Sequence, residues 1–245
     1  MGETLHMAEY LLFMKSVAII LSLLALTSEI FASDVCTSPP VWDSRLPPCE
    51  YPKKITVHGS IVSCYDPAWG FSIWSASEMD PKRSHSFNRD ICDWKRDKNV
   101  GSVSPDLYTG TGYARGHLIA FADSSCETGA TETCVTSNII PQPMGQNSGV
   151  WAQLEKHIRD IALRGPNKKW LVITGARMTN PVVWIKKGLA QPSGIWKVLI
   201  NTTDRTGCGY LGAYLKPYVI QYVPLVTLGI KGVNDGNREI CAGER

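Results

Sequence analysis

Residues 137–163 read SNIIPQPMGQNSGVWAQLEKHIRDIAL, and this stretch contains both kinds of secondary structure that the chain uses. From residue 150 to residue 163 the apolar side chains recur every three or four positions, which predicts an amphipathic helix. Gly165 and Pro166 end that helix. A run rich in β-branched residues at 133–140 precedes it and is predicted to be a strand that ends at Pro141.

Further strand-like runs lie on both sides of this stretch. They are rich in β-branched and aromatic residues and cover residues 54–64, 70–75, 169–174, 196–200 and 218–226. Residues 79–112 are polar, with Asp, Lys, Pro and Gly throughout, so we expect a long excursion with short helical turns. No Ser/Gly-rich linker divides the chain, and one strong helix among several strands predicts a single α+β domain.

The first 33 residues have the composition of a targeting segment. Lys15 precedes an apolar run at residues 17–26, and small residues follow up to Ala32 and Ser33. These are the parts of a secretory signal peptide, and the apolar run is shorter than the roughly 20 residues of a membrane span. We therefore predict a signal peptide at residues 1–33, a mature domain at residues 34–245 without a membrane span, and a secreted or periplasmic location. An uncleaved anchor and a buried helix are the alternatives.

The cysteines and the charge agree with an exported, globular protein. All eight cysteines follow residue 33, which predicts disulfide bonds, with reduced, buried thiols as the alternative. Cys126 and Cys134 lie close in sequence and form the only pair that we predict. Charged residues make up 19% of the chain, and without residues 1–33 there remain 24 basic and 19 acidic residues, a net charge of +5. Such a modestly basic domain suits a polyanionic substrate.

The tripeptide Arg115-Gly116-His117 carries the first candidate chemistry. A glycine allows close approach of the backbone, a guanidinium suits phosphate, and His can take a proton from water near neutral pH. Taken alone, the tripeptide is more simply interpreted as a structural histidine beside a surface arginine.

A second group of residues steps by four along the predicted helix: Asn147, Trp151, Glu155 and Arg159. Each step advances only about 40° around the helix axis, so these side chains follow one strip of the surface. A purely structural interpretation is available, in which Asn147 caps the helix, Trp151 packs, and Glu155 and Arg159 form a solvated ion pair. The helix taken alone favours that interpretation.

Together the two groups resemble the non-specific DNA/RNA endonuclease family, whose site is a ββα-metal finger. The family has R-G-H at the end of one strand, S-N-I-x-P-Q on a second strand, and a helix that opens at Asn and continues with W-x-x-L-E and an Arg. Here residues 115–117, 137–142, 147–155 and Arg159 match in order and spacing. The resemblance implies an α+β fold with a central antiparallel sheet, flanking helices and a ββα-metal finger active site.

The resemblance also implies a role for each matching residue. His117 would be the general base that acts on water, and Asn147 would be the direct protein ligand to Mg²⁺, for which Mn²⁺ could substitute. Glu155 would hold metal-bound water. Arg115 and Arg159 would bind the substrate phosphate and neutralise its developing charge.

Two amide side chains complete the implied site. Asn138, in the catalytic set, and Gln142, as a substrate-binding residue, would orient His117, the metal-bound waters or the substrate. The implied reaction is hydrolysis of DNA and RNA to 5′-phosphate products. Contacts to phosphate and sugar carry no base identity, which implies little sequence preference.

Some features depart from the family pattern or leave the function open. Ala114 stands where the family has Asp, which we expect to lower activity without abolishing it, and the upstream substrate-binding arginine has only Arg83 and His85 as candidate positions. A catalytically impaired exported protein that binds nucleic acid is the alternative function. A disulfide-rich exported module that binds protein or sugar is a third. An apolar strand after Tyr218 could support a homodimer.

Overall fold

The computed structural model describes residues 43–80, 87–165 and 167–242. The strands in this part of the chain are β1 (Lys54–His58), β2 (Ile61–Asp66), β3 (Phe71–Met79), β4 (Tyr113–His117), β5 (Ile139–Pro143), β6 (Trp170–Arg177), β7 (Val183–Lys186), β8 (Leu189–Gln191), β9 (Gly194–Asn201), β10 (Thr206–Ala213), β11 (Ile220–Val223) and β12 (Asn234–Asp235). The α-helices longer than one turn are α1 (Glu127–Glu132), α2 (Ala152–Leu163) and α3 (Arg238–Ala242). The predicted signal peptide lies outside the described residues.

Seven strands form a central sheet in the order β1-β2-β3-β6-β9-β10-β11, and each neighbouring pair is antiparallel. The short β12 pairs in parallel with β10. The pairs β4–β5 and β7–β8 form separate two-stranded ribbons. The predicted α+β class with a central antiparallel sheet is therefore confirmed.

The two faces of the sheet pack against different parts of the chain, because side chains alternate along each strand. Val172 and Leu199 belong to the core cluster that includes Ile158 of α2. Ile173 belongs to a second cluster, which includes Leu225 from the segment after β11. The helix α2 thus covers one face and positions everything that it carries over the centre of the sheet.

Several predicted strands are confirmed, two predictions need correction, and one strand was not predicted. Residues 54–64 form a hairpin rather than one strand, since Gly59 turns the chain with φ of +48°. The strand predicted at 133–140 begins only at Ile139, because residues 136–138 form a 3₁₀ turn. The sequence pattern does not reveal β10, because its three glycines depress strand propensity. One of them, Gly212, leaves room for the Trp151 ring, which would lie 3.3 Å from an added Cβ.

The helix after β5 begins earlier than predicted. A helical turn at Met144–Gln146 and a π-helical segment at Asn147–Trp151 lead directly into α2. Asn147 has helical angles, with φ of −57° and ψ of −49°, so its predicted role as the helix cap is wrong. Pro143 stands at the cap position instead, where its missing N–H costs nothing.

Three disulfides are present in the described part of the chain: Cys49–Cys64, Cys92–Cys134 and Cys208–Cys241. The predicted Cys126–Cys134 pair is wrong. Helix α1 lies between these two residues, and its six residues rise by about 9 Å, whereas disulfide Cα atoms lie within about 7 Å. Among the described helices, none has the length and hydrophobicity needed to cross a membrane.

Candidate active site

The β4–β5 ribbon carries the two residues at the centre of the candidate site. Arg115 and His117 lie on the same face of β4, because side chains alternate along a strand. Gly116 lies between them and faces Gln142, so close that an added Cβ would be 2.2 Å from Gln142 Oε1. Glycine is therefore required at position 116 for the two strands to approach in this way.

The His117 imidazole packs between an aromatic ring and a disulfide. Its ring centroid lies 5.1 Å from that of Trp94, and its Nε2 lies 3.9 Å from Cys134 Sγ. Burial, together with the positive charges of Arg89 and Lys197, lowers the pKa of His117 to about 3. The imidazole is therefore neutral near pH 7 and retains a lone pair that can accept a proton.

The Arg115 guanidinium is held in place by neighbouring backbone and an aromatic ring. Its Nε and Nη2 donate to the Pro105 carbonyl at 3.2 and 3.0 Å, and Nη2 also donates to Thr109 Oγ1 at 3.4 Å. Its Cζ lies 5.6 Å from the centroid of the Trp94 ring. Among the described residues no hydrogen bond engages Nη1, so this end of the fork is available to an anion.

Asn147 is partly exposed and lies in the π-helical segment. Such segments within α-helices frequently occur at functional sites. Gly149 departs from helical geometry here, with φ of −105° and ψ of −111°. The regular four-residue strip predicted from Asn147 to Arg159 is therefore interrupted, and only its part within α2 follows α-helical geometry.

A buried ion-pair cluster lies under α2 and behind His117. Arg159 Nη1 lies 2.8 Å from Asp123 Oδ1, and Lys197 Nζ lies 3.8 Å from Asp123 Oδ2. Lys197 also donates to the Leu118 carbonyl at 3.1 Å, directly after His117. Asp123 and Lys197 are almost fully buried. Arg159 thus pairs with Asp123, not with Glu155 as the structural interpretation expects.

Glu155 lies on α2 one turn before Arg159 and shares this electrostatic environment. Burial raises the pKa of Glu155, and the positive charge of Lys197 opposes that shift while the negative charge of Asp123 reinforces it. The positive charges of Lys197 and Arg89 lower the pKa of His117 and oppose the rise in the pKa of Glu155. The candidate base and the acidic candidate therefore lie near the same two cations, although they belong to different elements.

Asn138 is fully buried and its amide is used by backbone groups. Its Oδ1 accepts from the Ile119 N–H at 2.9 Å, and its Nδ2 donates to the carbonyls of Ile119 and Thr133 at 3.0 and 2.9 Å. The backbone N–H of Leu118 bonds to the Asn138 carbonyl as well. Asn138 therefore fixes the backbone directly after His117, and its amide hydrogens are not free for substrate.

Gln142 is also fully buried, within the ribbon and the helical turn that follows it. Its Nε2 donates to Gln146 Oε1 at 3.0 Å, and Gln146 Nε2 in turn donates to the Ala213 carbonyl at 2.6 Å. Through Gln146 the Gln142 side chain thus joins the ribbon to β10. Its expected contact with the substrate stays a prediction.

Sequence reasoning missed two residues that the structure brings to this site. Lys197 occupies an inward position of β9 between Ile195 and Leu199, and a lysine in that apolar alternation is the signal that could have found it. Arg89 is exposed on a 3₁₀ turn, with its Cζ 5.9 Å from the Phe121 ring centroid, and carries no pattern signal. The candidates Arg83 and His85 lie outside the described residues.

A metal ion would meet oxygen donors here rather than thiolates. In the part of the chain that the structure describes, one trio of His, Cys or acidic residues has ligand atoms within 4.8 Å of one another: Cys92, His117 and Cys134. Its two sulfurs are joined in a disulfide and offer no thiolate. The Asn147 amide oxygen and the Glu155 carboxylate are donors of the kind that Mg²⁺ prefers, with water completing its shell.

The family described as DNA/RNA non-specific endonuclease matches residues 50–231 of this chain. The chain belongs to this family. The matched range contains the whole central sheet apart from β12, together with the β4–β5 ribbon and α2. The family resemblance expected from Arg115-Gly116-His117 and the following strand and helix is therefore confirmed.

Individual family members are similar to this chain at modest identity. A nuclease of Nostoc sp. is 25% identical over 72% of this chain and 64% of its own length. The mitochondrial nuclease EXOG of Xenopus laevis is 31% identical over 56% of this chain and 42% of its own length. Human mitochondrial endonuclease G is 33% identical over 42% of this chain and 36% of its own length. The chain thus spans less than two thirds of the length of each of these relatives.

The backbone arrangement also agrees with that of a solved structure. EndoG, in its crystal structure with EndoGI, aligns with a TM-score of 0.62 at 20% identity, covering 84% of this chain and 91% of that one. That likeness concerns the arrangement of the backbone.

Proposed function

We propose that this chain is a metal-dependent endonuclease that hydrolyses phosphodiester bonds of DNA and RNA with little sequence preference. The observation that carries the proposal is that the Lys197 side chain connects two elements of the candidate site. Lys197 Nζ lies 3.1 Å from the carbonyl of Leu118, next to His117, and 3.8 Å from Asp123, which pairs with Arg159 of α2. The ribbon that carries the candidate base is thereby joined to the helix that carries Glu155 and Arg159.

His117 would act as the general base. Its lowered pKa leaves the ring neutral at working pH, and the approach of an anionic phosphate raises the pKa of a neighbouring imidazole. Proton uptake from water thus becomes more favourable when substrate is bound.

Two arginines would recognise the phosphate. Arg115 is already oriented by Pro105 and Trp94, so little conformational freedom is lost when its free Nη1 meets a phosphate oxygen. Arg159 is anchored by Asp123, with about a fifth of its side chain exposed. Contacts of this kind neutralise charge on the phosphate and read no base, which accounts for weak sequence preference.

Asn147 would hold a divalent cation, Mg²⁺ or Mn²⁺ as its substitute, and Glu155 would orient water near it. Such a cation stabilises charge on the leaving oxygen. Cleavage of the bond between phosphorus and the 3′ oxygen would leave 5′-phosphate and 3′-hydroxyl ends, which are the products expected from the family resemblance.

The test is incubation of purified, disulfide-intact protein with plasmid DNA and total RNA, in Mg²⁺ or in EDTA. We expect cleavage of both in Mg²⁺, no cleavage in EDTA, and products that accept a new 5′-label only after phosphatase treatment. His117→Ala should lower the rate by about 10²–10⁴-fold. His157→Ala, which changes a histidine elsewhere that bonds to the Cys241 carbonyl, serves as the matched control.

Other outcomes would identify the alternative functions. Binding of nucleic acid without cleavage in Mg²⁺ would indicate a catalytically impaired nucleic-acid-binding protein. Absence of both binding and cleavage would overturn the proposal and favour a module that binds protein or sugar.

Export is part of the same proposal. The three disulfides of the described part of the chain are typical of an oxidising compartment, whether periplasmic or extracellular. Mass spectrometry of protein expressed with its native N-terminus should find a new terminus after Ala32 or Ser33. Recovery of an intact Met1 or Met14 terminus from the medium would contradict the proposal.

A homodimer through the edge of the sheet is a further part of the proposal. The strand β11 ends the order of the central sheet, and Val219 before it and Leu215 are 47% and 80% exposed. Unpaired strand edges with apolar neighbours favour association with another strand. Analytical ultracentrifugation should give a dimer mass that Val219→Lys converts to a monomer mass.

A further inference from the structure

A cavity of about 450 Å³ opens beside the candidate active site, and none of the roles described above uses it. Its walls include Trp94, Tyr113, Ala114, Arg115 and Met144. The volume lies within the range of about 300–1,000 Å³ that is typical of small-ligand pockets in proteins.

The cavity is continuous with the catalytic groups through shared walls. Trp94 contacts the His117 ring, with centroids 5.1 Å apart, and lies under the Arg115 guanidinium at 5.6 Å. A group that packs against Trp94 is therefore separated only by that side chain from the candidate base, His117, and from the candidate phosphate ligand, Arg115. In a polynucleotide, the group next to a phosphate is a sugar and its base.

The chemistry of the walls suits a flat, uncharged, aromatic ring. Trp94 and Tyr113 are aromatic, Met144 is a polarisable side chain that is 59% exposed, and no carboxylate lines the cavity. Ala114 also lines the cavity and stands at the position where the family pattern has Asp. Aromatic and thioether side chains stack on every base, because each base has a π-face.

The rim of the cavity is kept open by glycines. Gly110 and Gly112 have φ of +70° and +78°, and an added Cβ at either would meet nothing within 4 Å. A nucleic-acid strand that enters the cavity from this side would meet the backbone of the two glycines rather than side chains. Lys186 donates to the Thr109 carbonyl at 2.6 Å, so a cation stands at the same rim.

We propose that this cavity binds one unpaired nucleobase next to the scissile phosphate, so that the chain prefers single-stranded or locally unpaired nucleic acid. This inference rests on the proposed function and adds a substrate class to it. A base in a duplex is stacked on both faces and paired at its edge, and it reaches a lateral cavity only after it leaves the stack. An unpaired base meets no such barrier.

The first test compares single-stranded oligonucleotides that are identical except for one abasic position. Loss of one base–aromatic stack should slow cleavage of the adjoining bond by about five- to a hundredfold, while the other bonds are cut at unchanged rates. A matched duplex should be cut more slowly than the intact single strand. Equal rates at intact and abasic positions would overturn the inference while leaving the proposed function standing.

The second test changes the cavity. Tyr113→Ala removes an aromatic wall of the cavity and should remove the difference between intact and abasic strands, whereas Tyr51→Ala, which changes an exposed tyrosine before β1, should preserve it. Met144→Ala changes an exposed wall residue, threatens the fold least, and should reduce the same difference. If these cavity variants retain the full discrimination, the base is held elsewhere and the inference fails. If the unmodified protein cuts no substrate, the proposed function fails first.

Discussion

Lys197 has an environment that is unusual for a lysine. It lies on β9 in the same alternation as Ile195 and Leu199, facing α2, and its side chain has no solvent exposure. Burial of a charge is costly unless partners compensate it. Here the Leu118 carbonyl, the Asp123 carboxylate and the Trp151 ring, whose centroid is 5.8 Å away, supply that compensation.

Asp123→Asn should therefore be strongly destabilising, because it leaves Lys197 and Arg159 without their shared anion. Breaking a buried ion pair from one side lowers the free energy of unfolding by about 3–5 kcal/mol. Urea unfolding measures this difference. Asp160→Asn is the matched control, since its pair with Lys156 on the same helix is exposed and should contribute less than about 1 kcal/mol. Equal effects of the two substitutions would contradict this account of the cluster.

The environment of Asp97 predicts how the free energy of unfolding depends on pH. Asp97 is fully buried, accepts a hydrogen bond from Thr56 Oγ1 at 2.8 Å and lies 2.8 Å from His58 Nε2. Burial alone would raise the pKa of Asp97, but these contacts lower it to about 2, against 3.8 for an ordinary Asp. The folded state thus holds the proton less tightly than the unfolded state.

The resulting stabilisation is present above the unfolded pKa and is lost as pH falls through about 4 towards about 2. It amounts to about 2 kcal/mol when fully developed. The difference in unfolding free energy between the unmodified protein and Asp97→Asn should shrink by that amount between about pH 7 and about pH 2. A difference that does not change with pH would show that Asp97 acts through packing alone.

At the scale of elements, the ribbon depends on the contact between Gly116 and Gln142. The β4–β5 pair holds Arg115 and His117 on one face only while the strands keep their spacing. The π-helical segment then places Asn147 after the ribbon without an intervening loop. The candidate base, the candidate phosphate ligand and the candidate metal ligand therefore all lie on the β4–β5 ribbon and the helical segment that directly follows it.

Gly116→Ala should disturb both stability and activity. The added Cβ would lie 2.2 Å from Gln142 Oε1 and 2.6 Å from Gln142 Cβ, and the second atom cannot move away without the backbone. Overpacking of this kind lowers the free energy of unfolding by about 1–3 kcal/mol. Thermal unfolding and plasmid cleavage would both be measured. Full activity with unchanged stability would mean that the ribbon tolerates a wider spacing than we infer.

At the scale of the whole molecule, the disulfide Cys92–Cys134 joins the long polar excursion before β4 to the segment that enters β5. It closes a loop with a sequence separation of 42, and it contacts His117. Cys208–Cys241 closes a comparable loop, with a separation of 33, between β10 and α3. The two bonds differ mainly in their distance from the candidate base.

Replacement of either pair by serine should lower the free energy of unfolding by a similar amount, about 2–4 kcal/mol. Only Cys92→Ser/Cys134→Ser should also lower the turnover of the folded protein, because only that pair packs against the imidazole. Cleavage rates measured below the unfolding transition separate the two effects. An equal loss of turnover with Cys208→Ser/Cys241→Ser would mean that the effect does not depend on contact between the disulfide and His117.

The local patterns were sufficient for much of this molecule. The three- and four-residue spacing after residue 150 predicts α2, because burying one helical face needs only local periodicity. The β-branched runs predict β3, β6, β9 and β11, and the joined motifs predict the family. The glycines of β10 hid that strand, because an added Cβ at Gly207 or Gly209 would meet the backbone of a neighbouring strand, which no local pattern reveals. The turn at Gly59 depends instead on its positive φ.

The sequence by itself determines a ribbon followed by a helix, which are formed by residues 115–117, 137–142 and 147–159. It can do so because the hydrogen-bond pattern and the side-chain period are local properties. The disulfide partners, the burial of Gln142 and Asn138, and the convergence of Lys197 and Arg89 on His117 depend on contacts between distant segments. No local pattern encodes such contacts, since they arise only when the sheet brings β9 beneath α2 and behind the end of β4.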